Sequence, residues 1–154
     1  MVYTPNHNPD YYKLNPSMTN CGSYAFNIEE WYDPELDEEW GEIEEWIDYF
    51  LDAGYELSEV PDLIARCYVD QILSDFYEDV RLIDNEHDGA PNEEVIAFRV
   101  YIDLEDFWGF DFHFKVFRDG YWREKCGSQD VTPCDLETWG RYNSSTFFFA
   151  KKII

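Results

Sequence analysis

Apolar residues recur every three or four positions through "PELDEEWGEIEEWIDYFLDAG" (Leu36, Trp40, Ile43, Trp46, Ile47, Phe50 and Leu51), and acids fill most of the intervening positions. That spacing puts one apolar stripe along one side of a helix, so it predicts an amphipathic helix from about 35 to 53, closed by Gly54. A second helix follows, with Ser58 as N-cap, Pro61 in the first turn, and Leu63, Ile64, Cys67, Tyr68, Gln71, Ile72 and Phe76 as its stripe. From Val80 the period falls to two. "VRLID" reads as a short strand and "NEHDGAPNEE" as a loop, while "VIAFRVYID", apolar on both faces apart from Arg99, reads as a central strand. "FDFHFKVF" and "YWREKC" flank Asp119-Gly120, a strong hairpin signal. Residues 127 to 144 read as a loop, and "STFFFAKKI" as the strand that closes the sheet. Helices first and antiparallel strands afterwards predict an α+β chain. A single domain, 1-154, is expected to comprise an irregular segment (1-19), a helical part (20-79) and the sheet (80-154).

Composition changes this picture in one respect. The chain of 154 residues holds 34 acidic and 11 basic side chains, a formal net charge of -23, yet 19% of it is aromatic. Disordered acidic chains are poor in aromatics, so the expectation is a folded core under a negative surface. No apolar run is long enough to span a bilayer and no secretory signal is read, which predicts a cytoplasmic protein without a membrane partner. Cys21, Cys67, Cys126 and Cys134 show no CxxC spacing. Four free thiols, no structural metal and no cofactor are therefore expected.

Candidate chemistry begins at "NCGSYAF", residues 20 to 26, where a thiol stands at the start of a helical turn. Such a position favours thiolate through the helix dipole, although a cysteine there can also be a small buried apolar group. In "FDFHFKVF" the residues Phe110, Phe112, Phe114 and Val116 share one face, and Asp111, His113, Lys115 and Phe117 the other. A two-residue Asp119-Gly120 turn sets Arg118 opposite Tyr121 and His113 opposite Cys126, with Glu124 diagonal to His113. Glu124 could then orient the imidazole, or simply face Lys115. Asp111, about 7 Å along the same face, is the second candidate for that role.

These residues resemble the papain-like superfamily of cysteine peptidases and cell-wall amidases, in which a cysteine opens an N-terminal helix and a histidine lies on a later strand. More narrowly, "NCGSYAF", "DFHFKVFRDGYW" and "EKCGS" are similar to small bacterial and phage proteins with Asn-Cys-x-x-Tyr-Ala and Asp-aromatic-His motifs. Glu124 stands where that set often carries histidine. The resemblance implies a papain-like fold with N-terminal helices packed on a C-terminal antiparallel sheet. It implies Cys21 as nucleophile, His113 as base, Glu124 or Asp111 as its orienting acid, and Asn20 as an oxyanion-side or helix-capping residue. The chemistry implied is hydrolysis of an amide-containing substrate, or acyl transfer, in a phage-type accessory protein of the host bacterial cytoplasm.

Charge supports a reading of another class. Acids concentrated on one or two helices imitate a nucleic-acid backbone, repelling nucleic acid itself and attracting a basic protein surface. On that reading the chain is a non-catalytic DNA mimic acting against a bacterial defence enzyme, or it sequesters a ligand in a former active-site pocket.

Overall fold

The structure, a computed structural model, describes residues 3–8, 10–34, 43–105 and 109–153. Among the described residues four α-helices, α1 (Tyr11–Leu14), α2 (Cys21–Phe26), α3 (Ile43–Asp52) and α4 (Val60–Asp75), precede the sheet. Its strands are β1 (Val80–Ile83), β2 (Glu93–Ile102), β3 (Phe110–Arg118), β4 (Tyr121–Lys125), β5 (Val131–Pro133) and β6 (Phe147–Lys152). They form one antiparallel sheet in the order β1-β6-β2-β3-β4-β5. The chain is α+β, as the change of period implies, and no helix among the described residues is long and apolar enough to cross a membrane.

The alternation of β2 and β3 sends Ile96, Phe98, Val100, Ile102, Phe114 and Val116 to the helical side, where they meet Ile64, Ala65, Tyr68, Val69 and Ile72 of α4. Within α4 the buried stripe runs through Ala65 and Val69 as well as Ile64, Tyr68 and Ile72, whereas Leu63, Cys67 and Gln71 are only partly covered. α3 presents Ile43, Trp46, Ile47, Phe50 and Leu51 to the core, the stripe read from its spacing. The N-terminal part of that predicted helix, with Leu36 and Trp40, lies outside the described residues. Phe26 and Phe76 stack at 4.4 Å between centroids, and Phe26 meets Phe114 edge-on at 5.2 Å, which anchors α2 to the sheet.

Several local expectations are corrected. Ser58 is not the N-cap of α4: a 3₁₀ turn, Leu57–Glu59, precedes that helix, and Glu56 and Glu59 cap its start reciprocally because the longer glutamate reaches back to the Glu56 amide. The segment 127 to 144 is not all loop, since Val131–Pro133 pairs with β4. The segment 1-19 is not irregular throughout: it contains α1 and a 3₁₀ turn at Pro16–Met18, and Tyr12 is buried with its hydroxyl donating to Ile28 O at 3.1 Å. The strand read from "STFFFAKKI" forms as Phe147–Lys152, and β6 lies between β1 and β2.

Two backbone features depend on particular residues. Asp119 (φ 53°) and Gly120 (φ 92°) both have positive φ, which gives the β3–β4 hairpin the primed turn its twist needs and fixes Arg118 opposite Tyr121. Gly22 lies against Tyr32, where a Cβ would come within 2.7 Å of the ring. Only glycine lets α2 approach so closely.

Candidate functional site

α2 has six residues, all buried, far short of the roughly 12–15 that an isolated helix needs. Its start is therefore held from outside. Asn20 Oδ1 accepts from Ser23 N–H at 2.9 Å, and Ser23 Oγ accepts from Asn20 N–H at 3.0 Å, which completes a capping box. Asn20 Nδ2 donates to Tyr32 O at 2.6 Å and Tyr32 N–H returns a bond to Asn20 Oδ1 at 3.1 Å. Asn20 caps the helix, and one of its two amide N–H groups is engaged by Tyr32 O while the residue also borders the cleft that Cys21 lines.

Cys21 opens this helix at 5% exposure. Its thiol interacts with His113 on β3, so residues 92 positions apart in sequence meet. His113 is 7% exposed, on a face that the alternation reads as polar. The segment from Cys134 to Thr146 covers that face. Tyr142 stacks on the imidazole at 5.4 Å and Trp139 meets it edge-on at 6.1 Å. Lys115, 2% exposed, pins this cover by donating to Asp135 O at 2.7 Å and to Thr138 O, with its ammonium 4.4 Å from the Trp139 ring. Arg99 approaches the same ring at 5.0 Å.

The hairpin brings Glu124 to Lys115 and, diagonally, to His113. Glu124 Oε1 lies 3.8 Å from His113 Nε2 and Oε2 lies 3.8 Å from Lys115 Nζ, ion-pair contacts longer than hydrogen bonds. Burial opposes a charge on His113, but the Cys21 thiol and the Glu124 carboxylate outweigh it and push the imidazole up to about 9. His113 in turn, against the cost of burial and with help from the Cys126 and Cys134 thiols, holds Glu124 down at about 2. Burial first, then the neighbouring carboxylate, raises Cys126 to about 11 and Cys134 to about 12.

Asp111, the second candidate for orienting His113, is engaged elsewhere. Its Oδ2 accepts from Arg141 Nη2 at 2.6 Å and from the Tyr142 hydroxyl at 3.1 Å, so it holds the cover through Tyr142.

Cys21, His113 and Glu124 open into one cleft of about 580 Å³, bordered by Trp31, Trp139 and Tyr142. A second cleft of about 600 Å³ is bordered by Lys13, Arg118 and Arg123 and has no cysteine on its lining. Sequence reasoning missed Lys125, which is 0% exposed although it sits in the polar run "YWREK". Its ammonium donates to Pro16 O at 2.6 Å, Thr19 O at 2.5 Å and Gly127 O at 2.5 Å, and so ties the chain just before Cys21 to the end of β4. Reading by alternation could have flagged it, because Lys125 shares the parity of Arg123, whose partner Val116 faces the core. The covering segment had no such signal.

No family model matches this chain, and no curated protein or solved structure matches it.

Proposed function

We propose that this chain is a papain-like thiol enzyme that hydrolyses an amide or transfers an acyl group, with Cys21 as nucleophile and His113 as base. One observation carries the reading: the thiol at the first position of α2 and an imidazole with which it interacts line one cleft, and a carboxylate on the same cleft stands 3.8 Å behind that imidazole. Nucleophilic catalysis needs a base beside the nucleophile and a third group that orients the base, and these three residues supply those types on one cleft. Glu124 lies on the Nε2 side of the ring, and this reading assigns Nδ1 to the thiol.

The Cys21 sulfur adds to the acyl carbon and its proton passes to His113. The C–N bond then breaks, the amine leaves with that proton, and a thioester remains. Water or a second nucleophile, deprotonated by His113, attacks the thioester and releases Cys21. The cap at the start of α2 uses the N–H groups of Ser23 and Tyr24, so the Cys21 and Gly22 amides are the ones placed to receive the oxyanion.

The test is alkylation of Cys21, read by peptide mass mapping in chelator at mildly acidic pH, where an ordinary thiol of pKa about 8.5 is almost wholly protonated. Fast labelling in the wild type and loss in His113→Ala are expected. Slow labelling in both would make Cys21 a structural residue and end the enzyme reading.

A second reading, a non-catalytic mimic of nucleic acid that binds a basic protein surface, is favoured by where the charges sit. Lys115, Lys125 and Lys151 are buried and Arg118 is paired with Glu94 at 2.6 Å, while Glu44, Glu45, Asp48 and Asp52 of α3 are exposed. The surface is thus more negative than composition alone gives, and it attracts basic partners with strong salt dependence. Binding to a basic nuclease that weakens steeply with salt, and weakens again when those four acids are neutralised, is the expected result. No binding at low salt would refute it.

A further inference from the structure

We propose that His113, Glu124 and Cys126 form a binding site for a thiophilic divalent cation of the zinc class, at the mouth of the cleft. One donor atom from each lies within 4.8 Å of the other two. Cys126 Sγ is 3.3 Å from Glu124 Oε1, and His113 Nε2 is 3.8 Å from that same oxygen. Zinc bonds of about 2.0–2.3 Å in a tetrahedron put neighbouring ligand atoms roughly 3.5 Å apart, so the cluster is already close to the spacing a metal requires. Nitrogen, oxygen and sulfur together suit zinc or cobalt and do not suit calcium or magnesium, which take oxygen ligands.

The carboxylate is divided for this purpose. Oε2 faces the Lys115 ammonium at 3.8 Å, while Oε1 faces both His113 and Cys126. The Cys134 thiol also interacts with Glu124, as outer partners of a ligand do. All three ligands sit on the β3–β4 hairpin or at its end, so their spacing is set by the sheet. Cys126 is exposed, which gives the cation a way in, and a net charge of -23 concentrates cations around the chain. Three protein ligands leave a fourth position for water, and binding releases to solvent both the Cys126 thiol proton and the proton that His113 carries on Nε2.

Occupancy has a consequence that rests on the enzyme reading above. An imidazole bound through Nε2 keeps its one proton on Nδ1 and can no longer accept the proton of Cys21. The cation is then an off-switch for the site.

The experiment titrates the chelator-treated full chain with cobalt(II) and follows the thiolate-to-cobalt charge-transfer band in the near ultraviolet. The band should saturate at one equivalent, disappear on adding zinc, survive Cys67→Ser and Cys21→Ala, and be lost in Cys126→Ser. Losing a direct ligand should weaken zinc binding by at least the ~10–100-fold that outer-partner losses cost. Absence of the band, its survival in Cys126→Ser, or its loss in Cys21→Ala would each overturn the proposal. Alkylation of Cys21 in chelator is read separately, so an inert Cys21 with an intact cobalt band sinks the enzyme and leaves the metal site standing. A reactive Cys21 with no cobalt band does the reverse.

Discussion

Replacing Lys125 with methionine keeps most of the side chain's volume and removes its three N–H donors. In the folded chain those donors meet three acceptors, Pro16 O, Thr19 O and Gly127 O, and no part of the residue is exposed. Burial, the largest influence on the ammonium, lowers its affinity for the proton, so part of what the bonds contribute offsets the cost of holding a charge there. Hydrogen bonds to charged groups contribute about 1.5–3 kcal/mol each, and an acceptor left buried without a partner costs about 1–3 kcal/mol. Water can reach Pro16 O and Gly127 O, whose bonds are only part-buried, whereas the Thr19 bond is fully buried. After allowing for the relieved charge, Lys125→Met should lower the unfolding free energy by about 3 kcal/mol, the size of one charged hydrogen bond lost and one buried acceptor left without a partner. Urea unfolding followed by tryptophan fluorescence measures this. Hydrogen exchange should also show faster opening at residues 16 to 22 than over α4. A loss below about 1 kcal/mol with unchanged exchange there would refute the view that Lys125 holds the segment before Cys21 in place.

Three further outcomes follow from the same geometry. His113 titrates at about 9 in the folded chain against 6.5 otherwise, so its stabilisation, at most about 3 kcal/mol, is complete below pH 6.5 and is lost as pH rises toward 9. Glu124, lowered from 4.5 to about 2, loses its part as pH falls below 4.5. Unfolding free energy in chelator should therefore decline on both flanks, and Glu124→Gln should flatten both. Asn20→Ala removes a cap worth about 1 kcal/mol and strands the buried Tyr32 amide and carbonyl at about 1–3 kcal/mol each, so thermal or urea unfolding should register a loss of at least about 3 kcal/mol. Gly22→Ala drives a methyl to 2.7 Å from Tyr32 and should cost about 1–3 kcal/mol, with Cys21 labelling altered because the helix start must move.

The hairpin was legible in the sequence because its register depends on two residues: once Asp119 and Gly120 take positive φ, Lys115 must face Glu124, and His113 and Cys126 follow along the same face. The stripe of α3 was legible for a similar reason, since a single periodicity decides it. Residue type misled at Lys115 and Lys125, at Lys125 against the alternation itself. Ammonium groups read as solvent-facing, yet both are buried here because backbone carbonyls of distant segments surround them. The cover over His113 was illegible too. The segment from Cys134 to Thr146 has little regular structure, and it is held by Arg99, Lys115 and Asp111, residues whose partners lie far off in the chain. The same thinking by local spacing passed over the metal-type cluster, since Cys126 meets His113 across a hairpin and not within a motif.

The position of β6 bears on how the chain reaches this state. β1 and β2 are separated in the sheet by a strand that follows both of them by more than forty positions, Phe147–Lys152. As the chain emerges during synthesis, β2 can pair with β3 at once through nearby contacts, but its other edge and the whole of β1 stay unpaired until β6 arrives. Non-local pairing of this kind closes a long loop first and slows folding. Until that insertion, an edge carrying Val95, Ala97 and neighbouring apolar residues is open to any other strand. The window for aggregation in this protein is therefore the interval before its sixth strand docks, and the dense negative charge keeps nascent copies apart while that edge is bare.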